Sequence, residues 1–140
     1  MCGLSQGGVL ALYTALHTKY ELGGFIPIVT LLPLLLQEPP AKILKETGIV
    51  NQDTPILQMN GGADMIVPND PAGMKTRAAM EKVYFKFLYY FLLYLLHQVY
   101  DHYKFELIPG TGHLTTAPSQ ITMPIIRKWL KANTKIKFEE

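Results

Sequence analysis

The stretch Gly3-Leu4-Ser5-Gln6-Gly7-Gly8 decides how the rest of the chain is read. It has the form G-x-S-x-G, in which small residues two positions either side of the serine let a strand turn sharply into a helix and push the serine oxygen out at the helix N-terminus. The following residues fit that geometry. Val9, Leu10, Leu12, Tyr13 and Leu16 recur at helical spacing, which predicts a helix over Gln6–His17, with Gly7-Gly8 allowing close packing on a neighbouring strand. The pentapeptide is short, and a Gly-rich helix start with an ordinary capping serine fits it as well.

Further along, Gly23-Gly24 break the helical pattern, and Phe25–Leu32 is a short apolar run predicted to be a strand buried on both faces. Pro39-Pro40 and the lysine-containing stretch to Asn51 read as a loop. Pro55–Met59 is a second strand-like run, ending at Asn60-Gly61-Gly62. A helix is predicted over Asn69–Lys82, and a third strand over Tyr103–Ile108, closing on Pro109-Gly110-Thr111-Gly112. The last helix is predicted over Ser119–Ala132, kinked or delayed by Pro124. Helices alternating with short buried strands that end in Gly-rich loops predict an α/β fold: a parallel sheet with flanking helices, where ligands bind beyond the strand C-termini.

Composition narrows the function. With 140 residues, 49% of them hydrophobic and 17% charged, the chain suffices for one globular core and lies away from disordered compositions. The net charge of +2 is scattered along the sequence, which argues against nucleic acid as a partner. Cys2 is the single cysteine, so the chain has no internal disulfide and no cysteine-based metal site; this suits a reducing compartment, and cytoplasm is expected. The N-terminus lacks a basic stretch ahead of an unbroken apolar one, against a cleaved secretory signal. Residues 83–98 are almost wholly apolar or aromatic, broken only by Lys86, His97 and Gln98. They are slightly short for a bilayer span and their aromatics are not gathered into two belts, so at most peripheral membrane contact is expected.

Two further loops carry chemistry, in the order Ser, Asp, His. Asn60-Gly61-Gly62-Ala63-Asp64 places an acid after a predicted strand, where a carboxylate could orient an imidazole, although a turn aspartate reads the same way. Gly110-Thr111-Gly112-His113 places a histidine after the third strand, where it could take a proton from Ser5 and return it to a leaving group. The amide of Gln6, next to the serine, is the expected oxyanion donor. His17, His97 and His102 lack such contexts and read as structural.

Together these residues resemble the acyl-protein thioesterase family, the phospholipase/carboxylesterase group that includes lysophospholipase-like enzymes. Gly3 to Gly8 with Ala11 to Leu16 looks like that family's elbow and following helix, Leu31-Leu32-Pro33-Leu34 resembles its Trp-Leu-Pro-Leu stretch, and Gly61 to Pro68 resembles its His-Gly-x-x-Asp-x-x-Val-Pro. The resemblance implies an α/β-hydrolase fold and hydrolysis of the thioester joining palmitoyl groups to protein cysteines, with lysophospholipids and small carboxylic esters as side substrates. It implies no cofactor and no metal, a cytoplasmic setting, Ser5, Asp64 and His113 as the catalytic residues, and Leu31, Leu32 and Leu34 beside the acyl chain.

The sequence also departs from the family. The family's N-terminal half has no counterpart in these residues, so the expectation is a single, partial α/β-hydrolase domain over 1–140. It lacks the strand leading into Ser5, several central strands, and the loop that donates the second oxyanion N–H. A non-catalytic fragment or binding protein that retains the three residues is the alternative. Asn60 stands where the family usually has histidine. Residues 83–98 interrupt an otherwise matching region; omitting them joins Lys82 to Val99 and restores a family-like helix, loop and strand, which is the expectation for a translated intron.

Overall fold

The computed structural model describes residues 1–18, 20, 22–31, 54–68, 73–81 and 103–134. Among them, four strands form one parallel sheet in the order β1 (Cys2–Leu4), β2 (Ile26–Ile28), β3 (Ile56–Gly61), β4 (Tyr103–Ile108). Helix α1 (Gln6–His17) connects β1 towards β2, residues 74–81 form a helix, α2, ahead of β4, and α3 (Met123–Asn133) follows it. The aromatic segment 83–98 lies outside the described residues, and among those described no helix is long and apolar enough to cross a membrane.

Strand alternation sends successive side chains to opposite faces, and β3 shows how both are used. Ile56 joins Ala11, Leu12, Ala15 and Leu16 of α1, Ala79 and Met80 of α2, and Phe25 and Tyr103 in one apolar cluster. Leu57 and Met59 point the other way, packing with Ile26, Ile28 and Val29 against Ile126 and Trp129 of α3. Two helices on one face and one on the other make a three-layer α/β/α arrangement, with β2 and β3 buried along their whole lengths. Among the described strands β4 lies at the border of the sheet, with Lys104 and Leu107 exposed, and Lys104 pairs with Glu106 at 2.7 Å.

Several elements differ from the expectations in ways that have physical causes. The three residues before Ser5 do form a strand, paired with β2 through Cys2 to Ile26, Gly3 to Pro27 and Leu4 to Ile28. β2 spans three residues rather than the eight from Phe25 to Leu32. Phe25 and Val29 donate their N–H groups towards β3, to Pro55 and Met59 carbonyls at 2.9 and 2.7 Å. Pro27, on the same side of the ladder, has no N–H to donate. Val29 then turns to φ 52°, a conformation unusual for a β-branched residue, which ends the strand. β3 runs two residues past the predicted end at Met59, and α3 starts at Met123 with Pro124 in its first turn, where a missing N–H has no consequence.

Candidate active site

Ser5 lies at the junction of β1 and α1 with φ 55° and ψ −116°. A left-handed φ costs a non-glycine residue about 1–3 kcal/mol, so its surroundings must hold it there. The Ser5 N–H donates to the Ile28 carbonyl at the end of β2, 2.9 Å away, and the Ser5 carbonyl accepts from the Val9 N–H at 3.0 Å, closing the first helical turn. Room for the turn comes from missing side chains: a Cβ on Gly3 would overlap the Gly7 carbonyl, and one on Gly8 would meet Thr30 Cβ at 2.8 Å and the Ile28 carbonyl oxygen at 2.9 Å. A Cβ on Gly7 would enter open space. The glycines that the elbow requires are thus Gly3 and Gly8, and the second glycine of the pentapeptide has no steric duty of its own.

The capping-serine reading fails here, because Ser5 makes no side-chain hydrogen bond to the start of α1. Its Oγ lies 3.1 Å from Nε2 of His113 instead.

Asp64 follows the glycine turn after β3, and its side chain is fully buried. Burying a carboxylate is costly unless its oxygens are partnered, and here both are. Oδ1 accepts the N–H groups of Ile66 and Val67, each at 2.8 Å, and Oδ2 lies 3.0 Å from Nδ1 of His113. An ionised carboxylate only accepts, so in the tautomer that satisfies Asp64 the donor is Nδ1–H, which leaves Nε2 to accept from Ser5. The Ser5 hydroxyl then has an acceptor within hydrogen-bond distance.

The structure therefore brings Ser5, His113 and Asp64 into one hydrogen-bonded chain at the C-terminal ends of β1, β4 and β3. Gln6 occupies the first position of α1, whose leading N–H groups have no carbonyl to reach within the helix. Leu31 is half-buried just past the turn after β2, while Leu32 and Leu34 lie outside the described residues. His17 is half-buried and stacks on Tyr13, with ring centroids 3.9 Å apart; His97 and His102 are outside the described residues. Among the described residues no three His, Cys, Asp or Glu side chains gather as a metal site.

Several contributors escape sequence reasoning. Asn60, which the sequence marks only as a departure from histidine, is fully buried on β3. Its Oδ1 accepts the Thr30 N–H at 3.2 Å and its Nδ2 donates to the Thr30 carbonyl at 3.1 Å. Gln58 adds a second donor to that carbonyl at 3.2 Å and accepts from the Tyr103 hydroxyl at 2.8 Å. This amide pair fixes the turn against which Gly8 packs, and no motif announces it. Met65, Ile66 and Leu114, within two residues of the acid or the base in sequence, are exposed apolar side chains.

A model of the phospholipase/carboxylesterase family matches residues 1–89. The chain is 32% identical over 111 residues to "Acyl-protein thioesterase 1" of Neurospora crassa, a match covering 79% of this chain and 37% of that protein. Among solved structures, SOBER1 of Arabidopsis thaliana superposes with a TM-score of 0.67 at 26% identity, over 94% of this chain and 51% of its own. The esterase PE8 superposes at 0.63 and 23% identity, over 94% of this chain and 48% of its own, a likeness of fold. The chain spans about half the length of these solved structures and just over a third of the Neurospora protein.

Proposed function

The chain belongs to the phospholipase/carboxylesterase family and has a partial α/β-hydrolase fold, and from that premise we propose that it is a serine hydrolase cleaving the thioester of S-palmitoylated proteins. Lysophospholipids and small carboxylic esters are further substrates in this reading. It is carried by the continuous chain from Ser5 through His113 to Asp64, with contacts of 3.1 and 3.0 Å. Ser5 Oγ attacks the acyl carbonyl as its proton passes to Nε2 of His113, and the tetrahedral oxyanion forms beside the Gln6 N–H. His113 returns the proton to the departing thiolate, leaving an acyl ester on Ser5. Water, deprotonated by His113, then releases the fatty acid and restores Ser5. Every proton and electron pair moves among Ser5, His113, water and substrate, so the reading assigns no cofactor.

Two features support an acyl substrate over a polar one. Met65, Ile66 and Leu114, exposed and apolar, stand within two residues of the acid or the base in sequence, and Leu31 follows the Asn60-pinned turn; Leu31, Leu32 and Leu34 are assigned to the acyl side. The Neurospora relative's name points the same way. The single cysteine is in keeping with a reducing, cytoplasmic setting.

Labelling of the purified chain with a fluorophosphonate probe tests the reading. Wild-type chain is expected to be labelled at Ser5 and Ser5→Ala not at all. A folded chain that stays unlabelled would favour the second reading, a non-catalytic binding protein that retains the three residues. In this fold the oxyanion is held by two N–H groups from separate loops, and among the described residues Gln6 supplies one. Loss of a single donor costs about 10²–10³ in kcat, so slow labelling is compatible with the hydrolase and absent labelling is not.

A further inference from the structure

The loop that carries His113 contains a buried hydroxyl arrangement to which the reaction above gives no part. Thr111 and Thr116 are almost entirely buried, and their hydroxyl oxygens lie 2.8 Å apart. Thr116 Oγ1 donates to the Gly112 carbonyl at 2.8 Å, so the Thr111 hydroxyl donates either to Thr116 or to the Ile108 carbonyl, 2.9 Å away. The Gly112 carbonyl also accepts the Thr116 N–H at 3.1 Å, and the Gly112 N–H donates to Thr115 Oγ1 at 2.7 Å. Both peptide groups of the residue before His113 are therefore held by the residues after it.

The same hydroxyl sits against the acid's side of the site. A Cβ on Gly61, the last residue of β3, would meet Thr116 Oγ1 at 2.5 Å and overlap the Thr111 carbonyl oxygen. Three residues beyond Gly61 comes Asp64. The absence of a side chain there lets the two loops close on each other, and they are stitched by Gly62 N–H to Ile108 and Ala63 N–H to Thr111 carbonyls, both at 2.9 Å. Thr116 touches the residue that starts the acid's turn and the residue that precedes the base.

We propose that Thr116 is a positioning residue of this site: its hydroxyl, seated in the space left by Gly61, clamps the Gly112 carbonyl and so sets the separation of His113 and Asp64. The inference deepens the hydrolase reading and rests on it for its kinetic consequence, though not for its geometry. A misplacement of about 1 Å in a reacting constellation can cost as much as 10²-fold in rate. The contact at stake is the 3.0 Å bond that keeps the Nε2 lone pair on Ser5.

Thr116→Val keeps the volume and removes the hydroxyl, whereas Thr116→Ser keeps the hydroxyl. With the full chain, Thr116→Val is expected to slow fluorophosphonate labelling of Ser5 by roughly tenfold to a hundredfold. For hydrolysis of a p-nitrophenyl acyl ester the loss should fall on kcat, with KM little changed. The downfield proton resonance of His113 Nδ1–H should move upfield, and Thr116→Ser should restore both rate and resonance. A folded Thr116→Val chain with wild-type labelling and an unmoved resonance would overturn the proposal. If the valine chain shows no cooperative thermal transition, the serine chain decides: wild-type labelling and resonance sustain the clamp, and slow labelling in a folded chain overturns it. If wild-type chain is never labelled, the hydrolase reading fails separately, and the resonance still reports whether the hydroxyl sets the His113–Asp64 contact.

Discussion

The two ends of the site are held by different physics. At the elbow, Ser5 is fixed by backbone packed on backbone: Gly3 under the Gly7 carbonyl, Gly8 against Thr30, and the Ser5 N–H on Ile28. At the other end, Asp64 and His113 are fixed by side-chain hydrogen bonds, from the two amides on Asp64 Oδ1 to the threonine hydroxyls around Gly112. Close packing has a hard wall, and one methyl group in the wrong place displaces the chain. A hydrogen bond is more forgiving in space but strict about which atom carries the proton. Damage at the first end should therefore appear in stability, and damage at the second in reaction rate with the fold intact.

Asp64→Asn presses hardest on that contrast. The substituted amide would keep its oxygen on the Ile66 and Val67 N–H groups and turn its NH₂ towards His113. Nδ1 must then accept, Nε2 carries the proton, and that proton faces Ser5 Oγ with no lone pair to receive the serine hydrogen. Labelling of Ser5 is expected to fall by about 10⁴, while the thermal midpoint moves by only a few degrees. A collapse in stability with little loss of rate per folded molecule would mean that the two ends do not divide the work as described.

Gly3→Ala applies the complementary pressure. Its new Cβ overlaps the Gly7 carbonyl, a backbone atom of the helix start with no side-chain rotation to escape through. The expected loss is about 4 kcal/mol or more, among the larger single-residue effects, and a denaturant titration reads it as a lowered midpoint or as no cooperative transition. A normal midpoint with slow labelling would place the elbow's tolerance above what the packing implies.

This division also explains what is legible in the sequence. A steric requirement that only glycine meets leaves a mark, and the helix Gln6–His17 and strand Tyr103–Ile108 have the predicted bounds for a related reason: a clear apolar pattern with a glycine boundary. Ser5, Asp64 and His113, which stand in three glycine-flanked loops in one chain order, are the residues that the structure brings together. Thr116 and Asn60 leave no such mark, because threonine and asparagine are ordinary loop and strand-end residues until their partners are known. Strand β1 is invisible in the sequence because three residues carry no period. β2 is shorter than its apolar run because the run does not reveal that Pro27 lacks a donor on the β3 side and that Val29 turns left-handed.

The smallest effect separates two adjacent glycines that the pattern treats alike. Both lie in the first turn of α1, yet an alanine at Gly7 meets nothing, whereas one at Gly8 comes to 2.8 Å from Thr30 Cβ and 2.9 Å from the Ile28 carbonyl oxygen. Thr30 cannot easily yield, since Asn60 holds both its N–H and its carbonyl. Gly8→Ala is therefore expected to cost about 1–3 kcal/mol, as overpacking does. Gly7→Ala should be neutral or stabilise by about 0.4–1 kcal/mol, because alanine in a compatible conformation restricts the unfolded chain. Paired denaturant midpoints read the difference directly. If Gly7→Ala proves the more damaging, what the pentapeptide's second glycine supplies is backbone freedom, and the elbow is held by chain conformation more than by the contact of α1 with β2.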